Sequence, residues 1–238
     1  MTTLDADEIK RYARHIVLRG VGGEGQQKLK AARVLVVGAG GLGSPAIAYL
    51  AAAGIGTLGV VDHDQVSLSN LQRQVIHTVE AIGSPKTDSA GRFVVGLNPH
   101  VTFVAHTERL TAENAGALIG AYDLVLDGTD NFGTRVIAAA AAEAAGKPLV
   151  SGAVSMFDGQ VTVFAPGGPG FRDLYPDTPD EADLPACEVV GVLGAVTGVI
   201  GTLMAMEAIK LITGIGQPLV GRLLLYDGRE ARFSELSY

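Results

Sequence analysis

The chain has 238 residues, 47% of them hydrophobic and 18% charged; this supplies a substantial core and excludes a disordered chain. Its net charge of −7 argues against a nucleic-acid partner, because phosphate backbones are met by basic faces. A single cysteine excludes an intrachain disulfide and any zinc site made of four thiolates, and it fits a cytoplasmic setting.

The polar, acidic residues 1–10 carry no apolar signal-peptide core. Residues 4–31 form an amphipathic, charged helical region, broken at 20–25 by glycines. An apolar, β-rich run at 34–38 leads straight into Gly38-Ala-Gly-Gly-Leu-Gly43. An Ala-rich helix follows at 44–53, ended by Gly54, and a second strand at 57–62. A helix at 86–97 starts behind Pro85 and stops at Asn98-Pro99. Then come a strand at 101–106, a short helix at 112–119, a strand at 122–127, an Ala-rich helix at 131–145 and a strand at 147–152. Strands alternating with helices at this spacing predict parallel βαβ units.

Beyond residue 152 the pattern changes. A strand at 160–164 follows closely, and a Pro-, Gly- and Asp-rich stretch at 166–186 is expected to be a mobile crossover loop. A Gly-rich helix runs to about residue 211. Strands at 222–226 and 231–236, joined by Asp227-Gly228, predict a hairpin. The expected fold is α/β: a Rossmann-like, mainly parallel sheet continued by antiparallel C-terminal strands, with helices on both faces and one domain over 1–238. The uncharged stretch 189–206 approaches the length of a membrane span. Gly191, Gly194, Gly198 and Gly201 dilute its hydrophobicity and Glu207 and Lys210 follow at once, so a buried helix with one closely packed glycine face is expected, and no membrane.

Gly38, Gly40 and Gly43 fit G-x-G-x-x-G between a strand and a helix, where small residues let a phosphate approach backbone N–H groups and the positive helix end. Asp62 closes the next strand and suits ribose hydroxyls. This much would also describe an NAD-dependent oxidoreductase. Ser69-Asn70-Leu-Gln-Arg73-Gln74 and Lys86 add an amide, a guanidinium and an ammonium, a set suited to a triphosphate. Asp127-Gly-Thr-Asp130-Asn131 closes the fourth strand at the lip where α/β sheets bind ligands. Asp130 suits Mg²⁺ on the phosphates and equally an N-cap for the helix that follows. The oxidoreductase reading leaves Arg73, Lys86 and Asp130-Asn131 without a task.

Together these stretches resemble the ThiF/MoeB/HesA group, relatives of the ubiquitin-activating enzymes. The motifs that carry the resemblance are Arg11-Tyr-x-Arg14-His, Gly25-Gln-x-Lys-Leu29, Val36-Val-Gly-Ala-Gly-Gly-Leu-Gly43, Asp62-x-Asp64-x-Val66-x-x-Ser69-Asn-Leu-x-Arg73-Gln74, Gly83-x-x-Lys86, Asn98-Pro99, Asp127-x-x-Asp130-Asn131 and Gly159-Gln-Val161. The resemblance implies an adenylyltransferase that uses ATP and Mg²⁺ on the C-terminal glycine of a ubiquitin-like sulfur-carrier protein ending in Gly-Gly, in thiamin, molybdopterin or tRNA-thiolation chemistry. Within the family, a tRNA-bound carboxylate is the alternative substrate.

The resemblance makes Gly41 and its loop phosphate-facing and Asp62 ribose-binding, sets Asn70, Arg73 and Lys86 on the triphosphate, and puts Asp130 at the metal. Asp64, Gln74 and Asn131 belong to the same nucleotide motifs. Arg14 would act in the neighbouring subunit of a homodimer. Cys187 would meet the activated carrier, with a sulfurtransferase or cysteine desulfurase as a further partner. Relatives often hold a structural zinc with two CxxC pairs; here Gly170-Phe-Arg-Asp173 stands at one of them and the sequence stops at Tyr238 before the other. No zinc, and a looser loop, are therefore expected.

Overall fold

The computed structural model describes residues 3–177 and 191–238. The N-terminal region is helical in three pieces: α1 (Ala6–Arg11), α2 (Ala13–Ile16) and α3 (Gly22–Ala31). Asp5 and Glu8 close a capping box on α1, which satisfies two otherwise unpaired donors. The break lies at 17–21 rather than at the expected 20–25, because Gly22, Gly23 and Gly25 lie inside α3. A side chain at Gly25 would press on Val21 and approach Thr213, so this glycine serves packing. Tyr12 is buried, and its hydroxyl accepts from Asn98 Nδ2 at 2.8 Å, docking the arm on the body.

Next come β1 (Arg33–Val37), α4 (Gly43–Ala53), β2 (Thr57–Val61), α5 (Lys86–Leu97), β3 (Thr102–His106), α6 (Ala112–Gly120), β4 (Leu124–Asp127), α7 (Phe132–Ala144) and β5 (Leu149–Ser155). The C-terminal part adds β6 (Asp158–Phe164), α8 (Phe171–Leu174), α9 (Gly194–Thr213), β7 (Arg222–Asp227) and β8 (Arg232–Ser237). All eight strands join one sheet in the order β3-β2-β1-β4-β5-β6-β7-β8. The first five are parallel and the last three antiparallel. Alternate residues of β1 enter different cores. Val34 and Val36 join α4, α5 and α9 residues on one face; Leu35 and Val37 join α6, α7 and α8 residues on the other. A sheet covered on both faces needs apolar residues at both parities, which is why β1 is an unbroken apolar run over 34–37 and β4 over 124–126.

Three expectations are corrected in the C-terminal part. The stretch 166–186 is not all loop. Phe171 in α8 is buried, with its ring centroid 4.9 Å from Tyr175, 5.6 Å from Phe164 and 5.8 Å from Phe132. Over 171–175 an aromatic cluster therefore anchors a segment expected to be loose. The hairpin turn is longer than Asp227-Gly228, because the Asp227 carboxylate accepts from the backbone N–H groups of Arg229 and Glu230 and shapes a wider turn. The long apolar helix α9 packs on α4, β5 and β6, but its tight face is narrower than the glycine spacing predicts. A side chain at Gly201 would collide with the Leu42 carbonyl and Pro45, and one at Gly194 with Gln72, whereas one at Gly198 would meet nothing.

Candidate active site

Strand β1 lies between β2 and β4, so the chain turns to opposite sides of the sheet from this point. Ligands of doubly wound sheets bind at such a switch point, beyond the carboxyl ends of the strands. Here the ends of β1, β2 and β4 open into a cavity of about 700 Å³.

The floor is the loop after β1. Gly38 takes φ +91°, a conformation that favours glycine. A side chain at Gly43 would collide with the Gly38 carbonyl oxygen, so glycine is what closes the turn. Gly38, Gly40 and Gly41 line the cavity; Gly43 is buried beneath it at the start of α4. Asp62 grips this loop. Its Oδ2 accepts from Ala39 N at 2.7 Å, and its Oδ1 from Asp64 N at 2.8 Å.

One wall carries cations. Lys86 opens α5 behind Pro85 and is only 5% exposed. Its ammonium lies 2.8 Å from Asp64 Oδ2, and its backbone N–H donates to the Asp64 carbonyl. Burial pushes the Asp64 carboxyl up, but the hydrogen bond and charge of Lys86 outweigh it and hold the group below its usual range. Arg73 and Gln74 follow a 3₁₀ turn at Leu68–Asn70, where the Asn70 carbonyl accepts from both of their backbone N–H groups. Arg73 lines the cavity, with Nη1 3.2 Å from the Ser69 carbonyl. Gln74 is 3% exposed, lines the cavity, and its Oε1 has no hydrogen-bond partner. A buried, unpaired carbonyl in a cavity wall suits a polar occupant that brings a donor.

The opposite lip is the loop after β4, and a buried charge cluster holds it. Asp127 is fully buried. It accepts from Thr129 N, Thr129 Oγ1 and Ser151 Oγ, and Arg135 Nε lies 3.1 Å from its Oδ2. The Arg135 guanidinium also donates to the carbonyls of Thr129 and Gly152. Asn131, rather than Asp130, caps α7, accepting from Thr134 N at 2.8 Å. Asp130 is thereby left exposed at the cavity. A free carboxylate in that position fits a hard divalent cation.

The structure thus gathers Gly38, Gly40, Gly41, Asp62, Asp64, Arg73, Gln74, Lys86, Asp130 and Asn131 around one cavity. Gly43, Asn70 and Arg14 are outside its lining; Arg14 is exposed on α2. Cys187 lies outside the described residues. Sequence reasoning passed over Thr129, Arg135 and Thr197, all in the cavity wall. Arg135 had a readable signal: it is the one cation in α7, an Ala-rich helix whose only other charge is Glu143 near its end. Thr197 carried none.

Fold and cavity together define a doubly wound α/β protein whose switch-point crevice gathers a glycine loop, cations and carboxylates. The chain belongs to the ThiF family, whose model matches residues 12–238. It is 49% identical to a Mycobacterium tuberculosis protein named probable adenylyltransferase/sulfurtransferase MoeZ, over 99% of this chain and 62% of that protein. It is also 49% identical to a Thermus thermophilus sulfur carrier protein adenylyltransferase, over 97% of this chain and 88% of that one. Among solved structures, PaaA superposes with a TM-score of 0.85 at 22% identity, covering 100% of this chain and 75% of PaaA.

Proposed function

We propose that this protein adenylates the C-terminal glycine carboxylate of a ubiquitin-like sulfur-carrier protein ending in Gly-Gly, consuming ATP and releasing pyrophosphate. The observation that carries this reading is the convergence of Arg73, Lys86 and Asp130 on the cavity floored by Gly38–Gly41. The names of its half-identical relatives point to the same chemistry.

In this reading Asp62 meets the ribose, the glycine loop meets phosphate through backbone N–H groups, and Arg73 and Lys86 meet the triphosphate. A carboxylate oxygen of the carrier attacks the α-phosphorus, and the bond to pyrophosphate breaks. The nucleophile is already ionised, so the site needs charge stabilisation rather than a general base. Fixed cations supply that where negative charge develops. Asp130 would hold Mg²⁺, which neutralises charge on the phosphates. Asn70 supports the turn that presents Arg73 and Gln74. Arg14 serves the site of a second copy in a homodimer. Cys187 would receive the activated carrier, with a sulfurtransferase or cysteine desulfurase supplying sulfur, in the cytoplasm. The NAD-dependent alternative gains no support from the family. The test is ATP–pyrophosphate exchange with Gly-Gly-terminated carriers. Carrier-dependent exchange, abolished by Asp130→Ala or Arg73→Ala, is expected, and absence of exchange with every such carrier would overturn the reading.

A further inference from the structure

We infer that His77 is a positioning residue that ties the nucleotide loop to the helix carrying Lys86. The inference rests on the ATP reading above and assigns a further residue to the same site. His77 is 6% exposed and does not line the cavity. Its Nε2 is 2.9 Å from the Ala39 carbonyl oxygen, and its Nδ1 is 2.9 Å from Ser89 Oγ. A carbonyl only accepts, so Nε2 carries the proton, and neutral Nδ1 accepts from the serine hydroxyl.

An ordinary core histidine could satisfy itself anywhere; the two partners here are specific. Ala39 is the residue between Gly38 and Gly40, and its N–H is already held by Asp62. Ser89 sits in the first turn of α5, one residue past Asp88 and three past Lys86. The bonds close a circuit. Ala39 N–H donates to Asp62, and Asp64 N–H donates to the other Asp62 oxygen. Lys86 donates to Asp64 through both its backbone N–H and its ammonium. Ser89, in the same helix, donates to His77, and His77 donates back to Ala39. Without His77, the Ala39 peptide is held from one side only. Groups fixed in advance lose no binding energy to reorganisation when the polyphosphate arrives. Ser89 and His77 therefore set the distance between the loop amides and the Lys86 ammonium.

The experiment measures ATP·Mg²⁺ affinity by calorimetry, and KM for ATP and for the carrier, in wild type and in His77→Gln, His77→Asn and His77→Leu. The glutamine amide nitrogen reaches about as far as Nε2 and keeps the donor to Ala39; asparagine reaches only as far as Nδ1. His77→Gln is expected within about threefold of wild type for ATP, and the other two at least about tenfold weaker, the size of one lost hydrogen bond, with the carrier KM unchanged. Wild-type ATP affinity in His77→Asn and His77→Leu would overturn the assignment, as would equal loss in all three with a parallel rise in the carrier KM. If His77→Leu does not fold, Ser89→Ala cuts the same link from α5 and is expected to weaken ATP at least about threefold; no change there overturns the assignment. A wild-type protein that binds no ATP would instead overturn the functional reading, and this assignment with it.

Discussion

The Lys86 ammonium lies 2.8 Å from the Asp64 carboxylate, a buried cation held by a half-exposed anion. An ammonium has three donors and no acceptor, so this pairing leaves donors for a phosphate while offsetting the cost of burying the charge. Lys86→Ala is expected to lower ATP–pyrophosphate exchange by about 100-fold or more, the scale of losing one group that stabilises developing charge. Lys86→Arg is not expected to rescue it, because a planar fork does not replace a compact ammonium in a closed wall. Asp64→Asn keeps an acceptor beside the ammonium and is expected to act mainly on KM for ATP. Steady-state kinetics of the three variants separate these outcomes.

Arg135 and Asp127 form the buried frame of the loop after β4. Removing one partner of such a pair leaves an uncompensated charge, which costs about 3–5 kcal/mol. Arg135→Ala is therefore expected to lower the urea unfolding midpoint sharply and to disorder Asp130 with it. Arg135→Lys is expected to recover little of that stability, because one ammonium cannot reach Asp127, the Thr129 carbonyl and the Gly152 carbonyl from one point. Equilibrium unfolding compared with the exposed neighbour variant Asp130→Ala, expected to be near wild type in stability, checks both statements.

The parallel half of the fold, and the glycine loop and cation wall of the cavity, were legible because they are governed by local rules. β1 and the glycine loop announce themselves by an apolar run and by glycines at G-x-G-x-x-G spacing, and Lys86 by a proline at a helix start. What escaped depends on contacts between distant segments. The bond of His77 to Ala39 spans 38 positions and its bond to Ser89 spans 12, and no sequence pattern marks either. Phe171 and Tyr175 stand four apart at helical spacing, but nothing in the sequence shows that they would meet Phe132 and Phe164, which lie in distant elements. Asp130 was open to two readings, and only the cap geometry of Asn131 separates them.

Two histidines set a pH dependence. Burial lowers the pKa of His77 from its ordinary value near 6.5, against the Ala39 hydrogen bond, with Lys86 and Arg92 lowering it further and Asp62 raising it. Burial likewise lowers His106, whose Nε2 is 2.8 Å from the Tyr122 hydroxyl. Each is neutral in the fold where the unfolded chain already binds a proton. Their contribution is therefore whole above about pH 6.5 and is lost as the pH falls from there through the lower folded values. The urea midpoint is expected to drop between about pH 7.5 and pH 5.5. His77→Gln, which has nothing to titrate, is expected to flatten that slope. The paired Asp64 carboxyl, held below its ordinary 3.8, acts only at lower pH and does not enter this window. An unchanged slope in His77→Gln would remove His77 from this account.

Arg14 supplies the last test, because its placement is at odds with a role in its own cavity. It is exposed on α2 and is not among the lining residues. The arm that carries it is fixed: Tyr12 bonds Asn98, His15 Nδ1 is 3.0 Å from Gln26 Oε1, and Gln26 Nε2 donates to the Ala53 carbonyl. With the arm docked in this way, a second copy that presents its own cavity would give Arg14 a site to act in. Arg14→Ala and Asp130→Ala, each expected to be inactive alone, are therefore mixed under conditions that exchange subunits. In a two-fold dimer random exchange makes half of the dimers mixed, and each of those has one site with both defects and one with neither. About a quarter of all sites is then intact, so about a quarter of wild-type exchange activity is expected to return. An arginine acting within its own subunit would return none, and a monomer by sedimentation would give the same null result for a different reason.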